Sequence, residues 1–381
     1  SITFNMTIVV AAVVLASVRL GLSAQAQACR DRFLQPFSSE SIWNTAIGSD
    51  ATFVAANLYS PGRYPSQIHN DQDFFLRVTN DDPLTPWIDQ GDWGSDDHCV
   101  QTGKVVTHIP FPTTWTSASD CIDNNPQHCR SKPNQANNNA MAVLLPDNET
   151  IVQMQPAYRC AFGSPLLARF GNTTDGCPQQ FPNITSIFGD GALGSHGGSG
   201  LSGVGGTIRV DELLASSGPI LHALKLELQH QWYYGEKQLQ PPSSYNQGRG
   251  QYVWPATGSD GGSNKAPGGL YGGTDPNVAP GALLAIPLSM AENVNVTTVV
   301  GLKIKQALID YGGYLVDDTG GGNSAAICME SNVNDQMRKT YGYAMTYPAG
   351  VSNTSIDGGR ALYIDLLHIF QALHAVTNNG P

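Results

Sequence analysis

Alternation of apolar and polar positions marks two stretches as strands. In Lys104–Phe111 (KVVTHIPF), Val106 and His108 oppose Val105, Thr107 and Ile109. In Ile220–Leu228 (ILHALKLEL), Ile220, His222, Leu224, Leu226 and Leu228 share one face, and Leu221, Ala223, Lys225 and Glu227 share the other. Side chains alternate across a strand, so the leucine face is expected in the core and Lys225 and Glu227 in solvent. A hairpin is predicted where Met141–Leu145 and Thr150–Pro156 flank the turn residues Pro146, Asp147 and Asn148. Its second arm sets Ile151, Gln153 and Gln155 against Val152 and Met154. The two glutamines form a polar ladder that suits either a solvated face or a sugar-contacting one. Shorter strands are expected at Tyr252–Trp254, Leu283–Ile286 and Tyr314–Asp318, with Ala325–Met329 pairing with the last. Ser60–Trp93 reads as turn-rich, with aromatics, Pro and Asp interleaved.

Period changes near the C-terminus. Ile304, Ala307, Leu308 and Tyr311 follow helical spacing, and Gly312 and Gly313 end the run. Leu362, Leu366, Ile369, Phe370 and Leu373 predict a second helix within Arg360–Ala375. The expected fold class is mostly β, sandwich-like or jelly-roll-like, with one or two short helices near the C-terminus and long Gly/Pro-rich loops. No composition break divides residues 29–381, which read as a single β-rich domain.

Composition narrows the setting. Only 13% of the 381 residues are charged, the net charge is −11, and there are 41 Gly and 24 Pro. An acidic surface of this kind repels nucleic acid and anionic membranes. Residues 1–28 read as a signal peptide with upstream residues: the apolar run Ile8–Leu22 precedes Ala24-Gln25-Ala26, and it is short for a membrane span. A secreted, extracellular protein is therefore expected. In that setting the seven cysteines read as bridges. Cys121–Cys129 and Cys160–Cys177 each flank a polar loop. Of Cys29, Cys99 and Cys328, two are expected to pair and one to stay free. Sequons at Asn148, Asn172, Asn183, Asn295 and Asn353 are candidate glycosylation sites.

The most unusual stretch is Gly189–Arg209, with nine glycines between Gly189 and Gly206 around His196. A long glycine-rich segment flanked by strands is expected to be held in place and functional. His196 is expected to project from it into solvent or a cleft, oriented by Asp190. Asp310 sits at the last turn of a helix, where the macrodipole disfavours an acid, and Tyr311, Tyr314, Asp317 and Asp318 follow closely. Asp317 and Asp318 point to opposite faces of a strand, so one of them can join the site. The expectation is that His196 and one of Asp310, Asp317 or Asp318 line one concave site, with Gln153 or Gln155 on its wall. His222, on the leucine face, reads as a buried histidine bonded to backbone. It becomes catalytic only beside a cavity.

Several segments carry a family resemblance: Phe37–Asn44 (FSSESIWN), Asn139–Pro156, Gly189–Arg209 with GSHGGSGLS and GGTIR, Pro219–Lys225, Trp254-Pro255-Ala256 and Asp310–Asp318 (DYGGYLVDD). In order and composition they resemble a family of secreted, largely uncharacterised proteins of actinobacteria, myxobacteria and some eukaryotes. The resemblance implies secretion and one fold unit, and it transfers no catalytic assignment. The Cys121–Cys129 insertion looks peculiar to this chain. Gln67-Ile68-His69 and Tyr245-Asn246-Gln247 echo alginate-lyase-type jelly rolls, but their arginine-rich motif is missing.

Two function classes stay open. The first is a secreted carbohydrate-active enzyme, a polysaccharide hydrolase or lyase. Its catalytic candidates are His196, Asp310, Asp317, Asp318 and Tyr314, with Asp190 and Glu227 as further carboxyls. Gln153, Gln155, Tyr311 and Trp254 would contact substrate, and Arg209 could neutralise a substrate carboxylate. The second is a non-catalytic extracellular glycoprotein: a matrix, cell-wall or fibril component, or a lectin. The expected partner is a polysaccharide or glycan, with self-assembly open and no membrane span. No cofactor and no metal are expected. Zinc-type ligand spacing is absent, and a set of His196, His222 and an Asp has no motif behind it. Gly194-Ser195-His196-Gly197-Gly198 is not a nucleophile elbow.

Overall fold

The computed structural model describes residues 31–58, 67–89, 104–116, 139–159, 162–168, 183–235, 252–259, 271–319, 324–345 and 357–380. Among the described residues strand outweighs helix, 31% to 17%, as the alternation predicts. The strands are β1 (Phe53–Ala55), β2 (Gln67–Arg77), β3 (Leu84–Asp89), β4 (Val105–Pro110), β5 (Met141–Leu144), β6 (Thr150–Met154), β7 (Ala157–Tyr158), β8 (Leu166–Ala168) and β9 (Asn183–Ser186). They continue with β10 (Leu193–His196), β11 (Leu224–Gln229), β12 (Leu283–Ala285), β13 (Gly313–Thr319), β14 (Ser324–Glu330) and β15 (His374–Val376). Among the described residues three α-helices, α1 (Val299–Asp310), α2 (Val333–Tyr341) and α3 (Asp357–Gln371), join a 3-10 turn at Leu288–Asn293. No described helix is long and apolar enough to cross a membrane.

Ten strands form one mixed sheet in the order β1-β15-β12-β13-β11-β14-β2-β5-β6-β9, and β4-β3-β8-β7 form a second sheet. Parallel pairs join β11 to β13 and β2 to both β14 and β5. The long strand β2 changes neighbour along its length. Its first part pairs with β14 up to Asp73, and its last residues, from Phe74, pair with β5.

Three apolar clusters cover the sheets. Leu224, Leu226 and Leu228 of β11 and Ile327 of β14 pack under α1 and α3, against Ile304, Leu308, Leu366 and Phe370. On the opposite face, Phe37, Trp43, Phe75, Leu201, Tyr314 and Cys328 form a second cluster beneath the N-terminal segment and the glycine-rich stretch. Phe74, Trp87, Phe111 and Met154 fill the space against the smaller sheet. At the helical layer, Thr298 caps α1 by accepting from the Gly301 N–H (3.0 Å), and the buried Asp365 of α3 accepts from the Thr297 and Thr298 N–H groups.

Several expectations need correction. Ala325–Met329 is a strand, but β11 lies between it and β13. Tyr252–Trp254 is not a strand. The turn-rich reading of Ser60–Trp93 overlooked β2 and β3, and α2 carried no recognised signal. Lys225 and Glu227 are not solvated. Both are buried, because the second cluster and the glycine-rich stretch cover the face they point to.

Candidate functional site

On the sheet face opposite the helices, four adjacent strands project polar groups into one cluster. β2 supplies Asp71 and Asp73, β11 supplies Lys225 and Glu227, β14 supplies Cys328, and β13 supplies Asp317. Alternate residues of a strand point the same way, so these positions share a face. Register does the rest. Cys328 pairs with Asp71, and a bulge after Leu226 sets Glu227 opposite Asp317. Half-buried His69 lies on the same face of β2, in register with the small Ala326.

The glycine-rich stretch closes over this row, and its composition has a steric cause. Gly197 has φ +45°, and a Cβ there would lie 2.1 Å from Cγ of Asp317. Gly206 has φ +75°, with Trp43 Cζ3 at 2.5 Å and Lys225 Cγ at 2.9 Å from the same hypothetical atom. Gln153 ties the stretch down: its Oε1 accepts from the Gly203 N–H (2.7 Å), and its Nε2 donates to Thr185 Oγ1 (2.7 Å). Trp43 Nε1 donates to the Gly191 carbonyl (2.8 Å). The stretch thereby presses His196, at the end of β10, onto the strands.

His196 Nε2 lies 3.3 Å from Asp73 Oδ1, 3.5 Å from Cys328 Sγ and 3.9 Å from Glu227 Oε1. Cys328 Sγ is 3.4 Å from the same Glu227 oxygen. Lys225 Nζ pairs with Asp73 Oδ2 at 2.8 Å and donates to the carbonyls of Ser202 and Gly203. Thr207 Oγ1 donates to Asp73 Oδ2 (2.6 Å), whereas Asp73 Oδ1 and His196 Nδ1 are buried without a hydrogen bond of good geometry. Carboxylate oxygens of Asp71 and Glu227 lie within 4.8 Å of each other. Asp317 accepts from Gln155 Nε2 (3.1 Å), from the Asp318 N–H (2.8 Å) and, at 3.4 Å, from the Gly198 N–H. Gln155 Oε1 in turn accepts from the Gly197 N–H (2.5 Å). Asp71 and Gln155 are half-buried, and the rest of the cluster is buried.

Charge is unbalanced here. Four carboxyls, Asp71, Asp73, Glu227 and Asp317, meet one ammonium, Lys225. Burial and the Asp73 charge push the Asp71 carboxyl up to about 7. Burial, followed by the Asp71 and Asp317 charges, raises Glu227 well above the usual carboxylate range. Burial alone would raise Asp73, but the Lys225 ammonium and the His196 ring together hold that carboxyl low. Burial and Lys225 depress His196, leaving it neutral, while burial and the nearby carboxylates raise the Cys328 thiol.

No family model, curated protein or solved structure matches this chain.

The sequence candidates divide. His196, Asp317 and Gln155 meet at the cluster. His196 is fully buried rather than projecting from an open loop. Asp190 does not orient it: that carboxylate is exposed and accepts from the Ala192 N–H. Asp310 is at the end of α1, bonded to Gln306, and Asp318 lies in register with Leu228 rather than beside Glu227. Tyr314 is buried against Trp43 with its hydroxyl toward Asn379, and Tyr311 packs on the same apolar cluster. Gln153 is buried under the glycine-rich stretch, neither solvated nor placed to contact a sugar. Trp254 is 41% exposed, and the chain beyond it meets that stretch where the Thr257 N–H donates to the Ser199 carbonyl.

Arg209 is committed elsewhere, paired with Glu330 (2.9 Å) and stacked on Phe33 and Phe75. His222 bonds the Ala223 carbonyl (2.8 Å) and Glu212 (3.1 Å), apart from His196. Asn148 and Asn295 are exposed. The side chain of Asn183, together with Asn172, Asn353, the signal segment and both proposed cysteine pairs, lies outside the described residues. Among those residues Cys328 is an unbridged, buried thiol. Sequence reasoning missed Asp71, Asp73, Lys225 and Cys328 as site residues. The alternation Asp71-Gln72-Asp73 between Ile68 and Phe74 was the available signal for the first two.

Proposed function

We propose that the chain is a secreted carbohydrate-active enzyme, a polysaccharide hydrolase or lyase, whose chemistry takes place at this cluster. One observation carries the reading: a proton-accepting and a proton-holding carboxyl system stand side by side on neighbouring strands. Asp317 is fixed as an acceptor by Gln155 and two backbone N–H groups. Asp71 and Glu227 stand within 4.8 Å of each other, and burial and neighbouring charges raise both carboxyls, which favours a proton on the pair. Cleavage of a glycosidic bond, by water or by elimination, needs a group that accepts a proton and a group that donates one. Half-buried Asp71, His69 and Gln155 mark the side from which a sugar chain would approach.

The test is a panel of neutral and acidic polysaccharides. Reducing-end release with no new ultraviolet absorbance indicates hydrolysis, and an unsaturated product indicates elimination. Asp317→Asn should lower the rate by about 10²-fold or more, the usual worth of a positioned acid or base, with little change in melting temperature. Binding without cleavage across the panel would leave a lectin and overturn the enzymatic reading.

A further inference from the structure

We infer that Asp71, His196, Glu227 and Cys328 form a binding site for a zinc-type divalent cation. The inference concerns the same cluster as the enzymatic reading but does not depend on that activity.

Each of the four residues offers one ligand atom, and these atoms all lie within 4.8 Å of one another. Three of the edges are tight: 3.4 Å for sulfur to Glu227 oxygen, 3.5 Å for sulfur to imidazole nitrogen, and 3.9 Å for nitrogen to oxygen. Zinc bonds of about 2.0–2.3 Å in a tetrahedron place ligand atoms about 3.3–3.7 Å apart. The triangle is therefore near the size of a tetrahedral face before any ion enters. Half-buried Asp71 supplies the fourth corner, on the solvent side. One thiolate, one imidazole and two carboxylates make a mixed set that suits zinc better than calcium or magnesium, which take oxygen alone.

Two further observations point to a ligand. Asp73 Oδ1 is buried 3.3 Å from the ligating nitrogen of His196, where it adds negative charge beside the site. The cluster also sets four carboxyls against one ammonium, a composition whose charge suits a cation. Lys225 would stay on Asp73, outside the ligand set. The ligands come from β2, β10, β11 and β14, which explains why no sequence spacing announces them.

The full chain, secreted into zinc-containing medium and purified without chelator, should carry a single zinc ion through gel filtration, measured by plasma mass spectrometry. His196→Gln and Glu227→Gln should each lower zinc affinity by at least about tenfold. Because those variants remove buried polar groups and can fail to fold, the wild-type protein is also stripped and reloaded with Co(II). Thiolate coordination by Cys328 should then give a near-ultraviolet charge-transfer band that folded Cys328→Ser protein lacks. A wild-type chain that takes up neither ion on titration overturns the inference, as does cobalt loading without the thiolate band. Polysaccharide cleavage by a chain that cannot bind metal removes the cation and keeps the enzyme. A chain that takes up zinc yet cleaves nothing in either its zinc-loaded or its metal-stripped form removes the enzyme and keeps the cation.

Discussion

The two faces of β11 differ sharply in what they bury. Leu224, Leu226 and Leu228 point toward the helices and are fully buried among aliphatic side chains. Lys225 and Glu227, one residue out of phase, point the other way and are almost equally buried, among carboxyls, a thiol and an imidazole. One strand thus serves an ordinary core and a dense polar cluster. The lesson is that charge on one face of an alternating strand signals solvent only when nothing covers that face. Here a stretch in which nine of the 18 residues from Gly189 to Gly206 are glycine covers it.

Breaking the polar face should cost most. Lys225→Met leaves Asp73 buried with its ammonium partner gone, and removing one member of a buried pair typically costs about 3–5 kcal/mol. Chemical denaturation should show this loss. A Lys225→Met/Asp73→Asn double variant should recover part of it, which isolates the pair from the methylenes. If the single variant is as stable as wild type, the charged face is not the integral structure described above.

Leu226→Ala tests the other face. Deleting a fully buried leucine costs about 2–5 kcal/mol, depending on how far the cavity collapses. Although Glu227 is its immediate neighbour, this change should leave zinc binding and any cleavage per folded molecule near wild type. A large loss of either at full folding would show that the two faces are coupled.

How far these differences could be read in advance also follows the two faces. The hairpin of β5 and β6, the leucine stripe of β11 and the helix at Ile304–Leu308 are written in periodicity, because apolar side chains pack one face against a neighbour. His196, Asp317 and Gln155 were legible as companions because a glycine-rich stretch and a strand-end acid are locally odd. Asp71 and Asp73 were hidden: aspartates in a Pro- and aromatic-rich stretch look like turn residues. Lys225 and Cys328 were hidden because their meaning depends on β14 entering between β11 and β2, which no local pattern encodes.

The smallest effect sharpens the comparison at the upstream end of β11. Burial lowers the affinity of His222 for a proton, but the Glu212 charge and hydrogen bond outweigh it, so its pKa is raised. Glu212, pushed up by burial, is held low by His222. The His222 contribution is complete below its unfolded pKa of about 6.5 and is lost as pH rises through the raised folded value. The Glu212 contribution is present above its unfolded pKa of about 4.3 and fades as pH falls. The melting-temperature gap between wild type and His222→Gln should therefore be widest between about pH 4.5 and 6.5. A gap that grows steadily above that range would contradict the assignment.

The position of β14 between β11 and β2 also has a consequence for how the chain reaches its native state. Asp71 leaves the ribosome early and Cys328 late, yet the two are register partners in the finished sheet. Pairings between such distant segments are slow to form. Until β14 docks, the Cys328 sulfur is accessible, and it is one of seven cysteines. In an oxidising folding compartment this odd thiol would compete in disulfide exchange until the sheet closes over it. The same insertion completes the polar cluster, so burial of this sulfur and assembly of the site are a single event. A chain truncated before Ser324 would carry all the other residues of the cluster and have no place to assemble them.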